Sequence, residues 1–152
     1  LNKKLDLELS EPDPLGEQLI QRACDAAPQI SQYYESLETH KAMRDIMALA
    51  DDANKYINDS APWDVVKQDP KAAQSICTSG LNVMRVLAIY LQPVLPVLCA
   101  DVFQFLNVPA QTWSMISDRL INHRINPYSH LAKRVDMAQV SSLVASSPVP
   151  AE

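Results

Sequence analysis

An all-α fold is predicted, on three observations. Apolar residues recur at helical spacing through most of the chain. Only 2 glycines occur in 152 residues, too few for the tight turns of a β-sandwich or barrel. Pro62, Pro70, Pro93 and Pro96 stand where periodic segments begin or end. A chain of 152 residues, 47% apolar and 20% charged, is globular and long enough to bury a sizeable core in one domain.

Residues 11–38 read as the first helix. Glu11, Asp13 and Glu17 lie near its start, where the macrodipole favours negative charge. Leu15, Leu19, Ile20, Ala23, Ala26, Ala27, Ile30 and Tyr34 supply the apolar stripe, and Pro28 should kink or divide the helix. Thr39 suits the N-cap of a second helix reaching about Asn58, with Ala42, Met43, Ile46, Met47, Leu49, Ala50, Ala53 and Ile57 inward. A break at 58–63 follows, and Pro62 fits the first position of a short third helix to about Val66. Asp69-Pro70 is a further helix start. The strongest periodic segment is 71–92, with Ala73, Ile76, Cys77, Gly80, Leu81, Met84, Leu87, Ala88 and Leu91 on one broad face. Gly80 there marks close helix approach, since a mid-helix glycine otherwise costs about 1 kcal/mol.

Pro93 and Pro96 end that helix and open the next, through about Leu106. Residues 107–128 lack clean periodicity and read as a long loop. Residues 129–146 read as a C-terminal amphipathic helix capped by Ser129, with Leu131, Val135, Val140, Leu143 and Val144 inward. The sum is a helix bundle with a long loop and a C-terminal helix, without internal repeats. The opening Leu1-Asn2-Lys3-Lys4 reads as an element entered midway, and 145–152 as the start of a linker, so a fragment of a longer protein is expected.

Several function classes are excluded. The glycine-rich dinucleotide and P-loop patterns are missing. Cys24, Cys77 and Cys99, 53 and 22 residues apart, fit neither metal-ligand spacing nor a disulfide framework and read as buried free thiols. His40, His123 and His130 are scattered, with no metal motif around them. Asp51 and Asp52 project about 100° apart on a helix and would not share a site. No apolar run approaches the roughly 18 residues of a membrane span, and no signal peptide is visible. Net charge is −5 and uneven: residues 1–69 carry 7 Lys/Arg against 14 Asp/Glu, residues 70–152 carry 6 against 4. An acidic first half argues against broad phosphate binding, not against base reading at one small patch. The one basic concentration, Arg119, His123, Arg124, His130, Lys133 and Arg134, reads as a solvated face.

Trp63 is the local feature with binding chemistry. It follows Pro62 at a helix break, beyond Asn54, Lys55, Asn58 and Asp59. An aromatic face beside amides is how exposed RNA bases are held, at about 1–3 kcal/mol per stacked base. Taken alone, composition and spacing favour Trp63 as a staple of the turn onto the core.

A resemblance alters that balance. The stretch from Met47 through Ala53-Asn54-Lys55-Tyr56-Ile57-Asn58 to Ala61-Pro62-Trp63 resembles the helix and turn of methionyl-tRNA synthetase anticodon-binding domains. Ile76–Leu87, Tyr90-Leu91-Gln92-Pro93-Val94-Leu95-Pro96, Trp113, His123-Arg124-Ile125-Asn126-Pro127, Leu131 and Arg134-Val135-Asp136 are similar too, so the likeness runs from Leu1 to about Val144. Its flavour is that of bacterial long-form enzymes. The resemblance implies a class I synthetase anticodon-binding helix bundle over 1–144, truncated on its N-terminal side. It implies recognition of the CAU anticodon of methionine tRNA, with Trp63 stacking on the first base, Pro62 shaping the turn, and Asn54 and Asn58 facing the same ligand at i, i+4. Lys133 and Arg134 are candidates for tRNA backbone or interdomain contact.

The implied parent is a cytoplasmic methionine–tRNA ligase, whose catalytic domain would bind ATP, methionine and zinc. The partners are that catalytic domain and the tRNA, with neither DNA nor membrane. The HIGH-type and KMSKS-type signatures are missing here, so this chain alone is expected to hold no cofactor and to be inactive. Departures from the family are an upstream Asn and Arg that precede Leu1, and Asn58, a position often acidic in relatives. The competing expectation is a structural or protein-interaction bundle with Trp63 in its core.

Overall fold

The structure, a computed structural model, describes residues 7–128. Within them the order is α1 (Pro14–Asp25), α2 (Ala27–Glu35), α3 (Thr39–Ser60), α4 (Pro62–Val65), α5 (Pro70–Leu91) and α6 (Pro96–Phe105), then a 3₁₀ turn at Trp113–Met115. The all-α expectation holds among these residues, where the one extended pairing is an isolated antiparallel bridge between Glu8 and Arg124. The expected helix over 129–146, its cap Ser129, and His130, Lys133 and Arg134 lie outside the described residues.

The first helical segment divides as Pro28 foretold. The break falls at Ala26, which ends α1 and precedes α2, and Pro28 occupies the first turn of α2, where its missing N–H costs nothing. Asp13 precedes α1 but does not cap it. Its carboxylate is instead taken by two other helices: Tyr56 of α3 donates to Oδ1, and Ser79 of α5 donates to the same oxygen at 2.8 Å. Thr39 is the first helical residue of α3 rather than its cap, since the backbone of Glu38 already accepts the first bonds. Asp69 caps α5, accepting from the N–H groups of Lys71 and Ala72 at 3.1 and 3.0 Å.

The bundle is built around α5, which packs against α1, α3, α4 and α6. The broad apolar face expected of α5 is therefore only part of what the helix buries. Its deeply buried residues are Ala73, Thr78, Ser79, Asn82, Val83, Arg85, Val86, Ala88, Ile89 and Tyr90, whereas Cys77, Gly80, Leu81, Met84 and Leu87 line an open groove beside α3. A helix enclosed on several sides hides polar residues when each finds a partner. Asn82 exchanges bonds with the backbone of Leu120, at 2.7 Å to its N–H and 3.1 Å to its carbonyl. Ser10 N–H donates to Thr78 Oγ1 at 3.0 Å, pinning the entering chain. Fully buried Arg85 donates to Gln111 Oε1 and to the carbonyls of Met115, Ile116 and Asp118. Residues 107–128 are thus a loop, as expected, but one held by α5 side chains.

Of the described part of the basic run, Arg124 is exposed as expected, but Arg119 and His123 are not free on a solvated face. Arg119 pairs with Glu17 at 3.0 Å and bonds Gln21, and the imidazole Nε2 of His123 lies 2.7 Å from the Leu106 carbonyl. Of the cysteines, Cys24 and Cys99 are buried, but Cys77 is only half-buried, on the groove wall. Met47, expected inward, is exposed.

Candidate nucleic-acid interface

α3 delivers two of the expected site residues, Asn54 and Asn58, and α4 the other two, Pro62 and Trp63. Asn54 and Asn58 fall in its last two turns, both exposed. The helix ends at Ala61, whose backbone is left-handed (φ 40°, ψ 59°). The Ala61 N–H donates to Ile57 O at 3.0 Å, and its carbonyl accepts from Asp64 and Val65 N–H at 2.9 and 3.1 Å. Ala61 is therefore the last link of α3 and the first of α4. Pro62 follows as the first residue of α4, and Trp63 stands next to it.

Trp63 is 53% exposed. This counts against the competing expectation that it lies in the core. The aromatic staple of the bundle is the other tryptophan, Trp113, which packs edge-on to Tyr34 (ring centres 6.5 Å) and tilted on Tyr90 (5.2 Å).

Beside Trp63 opens a groove of about 370 Å³ between α3 and α5, lined mainly by Ala50, Ala53, Ile57, Leu81 and Met84, with Asn54 and Pro62 on its wall. Gly80 forms part of its floor, where a Cβ would come within 2.9 Å of Ile57 Cδ1, so the expected close approach of these helices is present. The groove thus brings together two of the expected residues, Asn54 and Pro62. Asn58 is not among its lining residues, and neither is Trp63. The lining also holds Cys77, Leu81 and Met84, from the broad apolar face that periodicity had marked on 71–92. Burial raises the pKa of Cys77, so its thiol stays protonated at neutral pH.

The surroundings are acidic: five aspartates stand against three lysines between positions 51 and 71. Lys67 is paired with Asp64 at 2.8 Å, and Asp52 with Arg22 at 3.0 Å. An aromatic face, amides and an apolar wall suit a base better than a phosphate. Among the described residues no group of His, Cys, Asp or Glu is placed to hold a metal ion, and no helix is long and apolar enough to cross a membrane.

Comparison with known proteins decides the family. The anticodon binding domain of methionyl tRNA ligase matches residues 9–132. The chain belongs to this family. The methionine–tRNA ligase of Bdellovibrio bacteriovorus is 41% identical to this anticodon-binding domain over 144 residues, which is 95% of the chain and 21% of that ligase. The chain therefore spans about a fifth of the length of this relative. The fold is shared with Mycobacterium tuberculosis methionyl-tRNA synthetase. Its free-state structure superposes with a TM-score of 0.82 at 20% identity, covering 88% of this chain and 29% of that one. Its complex with methionyl-adenylate gives 0.81 at 21% identity, covering 87% and 28%. The fold class implied by the sequence resemblance is thereby confirmed for this methionyl-tRNA ligase anticodon-binding domain.

Proposed function

We propose that the chain reads the CAU anticodon of methionine tRNA for a methionine–tRNA ligase, serving ATP-dependent attachment of methionine to tRNA in the cytoplasm. The observation that carries this reading is the exposure of Trp63 on a turn bonded at both ends, directly after Pro62, which with Asn54 lines an apolar groove. Trp63 stacks on the first anticodon base, and Pro62 fixes the backbone that presents it. Asn54 and Asn58 offer amide donors and acceptors to base edges. The acidic surroundings fit a site that supplies specificity, while phosphate contacts elsewhere supply register. Lys133 and Arg134 are proposed for tRNA backbone or the neighbouring catalytic domain. That domain is where ATP, methionine and zinc would bind, and where the reaction would occur.

The test is binding of a CAU anticodon stem-loop against one with its first anticodon base replaced, at fixed low salt. Trp63→Ala is expected to remove the preference for CAU. Because Trp63 is exposed, the melting temperature should change little. A large loss of stability, as from a cavity costing about 3–5 kcal/mol, would instead favour the structural bundle.

A further inference from the structure

One carboxylate oxygen ties three helices together. Asp13, immediately before α1, accepts through Oδ1 from the Tyr56 hydroxyl of α3 and from Ser79 Oγ of α5, and makes no side-chain cap bond to α1 itself. Its place on α5 is fixed by close packing, since a Cβ on Gly16, one turn further along α1, would lie 1.9 Å from Ser79 Oγ. The bond to Tyr56 then sets where α3 lies. Its neighbours belong to the groove. Ile57 and Gly80, the residues after Tyr56 and Ser79, face each other there, a Cβ on Gly80 coming within 2.9 Å of Ile57 Cδ1. Asn54, two residues before Tyr56, and Cys77, two before Ser79, both line it.

We propose that Asp13 is a positioning residue for the C-terminal end of α3. Anchored on α5, it holds Tyr56, and through it Asn54 and Ile57, at the spacing that gives the groove one width. Without those two bonds α3 would shift against α5, and the Asn54 amide would meet a base edge in more than one place. This rests on the reading of this end of α3 as the anticodon site.

Asp13→Asn and Asp13→Ala separate the bonds from the charge. Asparagine keeps an acceptor oxygen for Tyr56 and Ser79, and alanine keeps none. The first readout needs no RNA. It is the labelling rate of Cys77, the half-buried thiol on the groove wall, by a neutral maleimide, with Cys24 and Cys99 buried. Loss of a hydrogen bond of ordinary net worth shifts a local equilibrium by about 2- to 10-fold. Asp13→Ala is expected to label faster by about that factor, and Asp13→Asn at the parent rate. The second readout is the preference for a CAU stem-loop over loops with one anticodon base replaced. It is expected to fall about threefold in Asp13→Ala and to be restored in Asp13→Asn. Ile89→Val, a small deletion in the buried face of α5, controls for lost stability and should change neither readout. The positioning role is overturned if Asp13→Ala keeps the parent labelling rate or the parent preference. It is equally overturned if Asp13→Asn behaves as Asp13→Ala, or if Ile89→Val does. A folded parent without a preference, or with one that survives Trp63→Ala, is a failure of the anticodon reading itself, and Cys77 labelling then shows by itself whether Asp13 holds the groove.

Discussion

Tyr56 and Arg85 each tie a helix to a distant segment of the chain, Tyr56 to Asp13 and Arg85 to the 111–118 segment. Tyr56 lies in α3 between Asn54 and Asn58 and donates to Asp13. Burial, then the bond to the Asp13 carboxylate, raise its pKa above the ordinary phenol value. A folded-state pKa above the unfolded one, near 10, gives stability that is present in full below about pH 10 and lost as pH rises beyond it. The excess stability of the parent over Tyr56→Phe should therefore be constant from pH 7 to about 9 and shrink above about pH 10, as denaturant titrations at each pH can follow. Arg85 carries its charge without a carboxylate partner among the bonds it makes; its acceptors are three carbonyls and the Gln111 amide. Arg85→Met would leave those acceptors buried and unpaired, at about 1–3 kcal/mol each where water cannot reach. A loss of at least about 3 kcal/mol is expected in urea unfolding, with protease sensitivity appearing first in the 111–118 segment. The Trp63 turn, bonded independently of Arg85, should keep its shape.

At the scale of elements, the close approach of α1 to α5 is the most demanding contact. A Cβ on Gly16 would lie 1.9 Å from Ser79 Oγ and 2.6 Å from Asp13 Oδ1. Gly16→Ala should cost about 2 kcal/mol or more, despite a gain of about 1 kcal/mol in helix propensity. Gly80→Ala meets only the flexible end of Ile57 beside the open groove, so the two effects should nearly cancel. Thermal melts of the pair compare the two crossings directly. The boundaries of α3, α4, α5 and α6 were legible because caps and prolines act locally: Asp69-Pro70, Pro62 and Pro96 each stand within a residue of an observed helix start. The faces were less legible. The apolar seam Cys77, Gly80, Leu81, Met84 and Leu87 marks a groove, while Thr78, Ser79, Asn82 and Arg85 are buried because distant segments at 10, 13 and 111–120 supply their partners. Periodicity reports that a face is apolar, not what stands against it.

Over the whole molecule, the acidic charge and the small aromatic site belong together. A chain with a net charge of −5 gains little from a polyanion, so under the proposed function the discrimination would come from base contacts. Of the candidate site, Trp63, Pro62 and Asn54 were legible through one sequence stretch, and the structure places Pro62 and Asn54 on a common groove wall with Trp63 exposed at the turn. The left-handed Ala61 was not legible, because a helix-ending Ala-Pro specifies no sign of φ without the α3 and α4 hydrogen bonds that impose it. The basic run at 119–124 misled for the same reason that α5 did: Arg119 and His123 are engaged with distant parts of the fold. The most direct test of the account is the ratio of dissociation constants for a CAU stem-loop and one with its first anticodon base replaced, measured for the parent chain and for Trp63→Ala. Preference for CAU is expected in the parent, and a ratio near one in a folded Trp63→Ala. A preference that survives the substitution, or no preference in the folded parent, would contradict it.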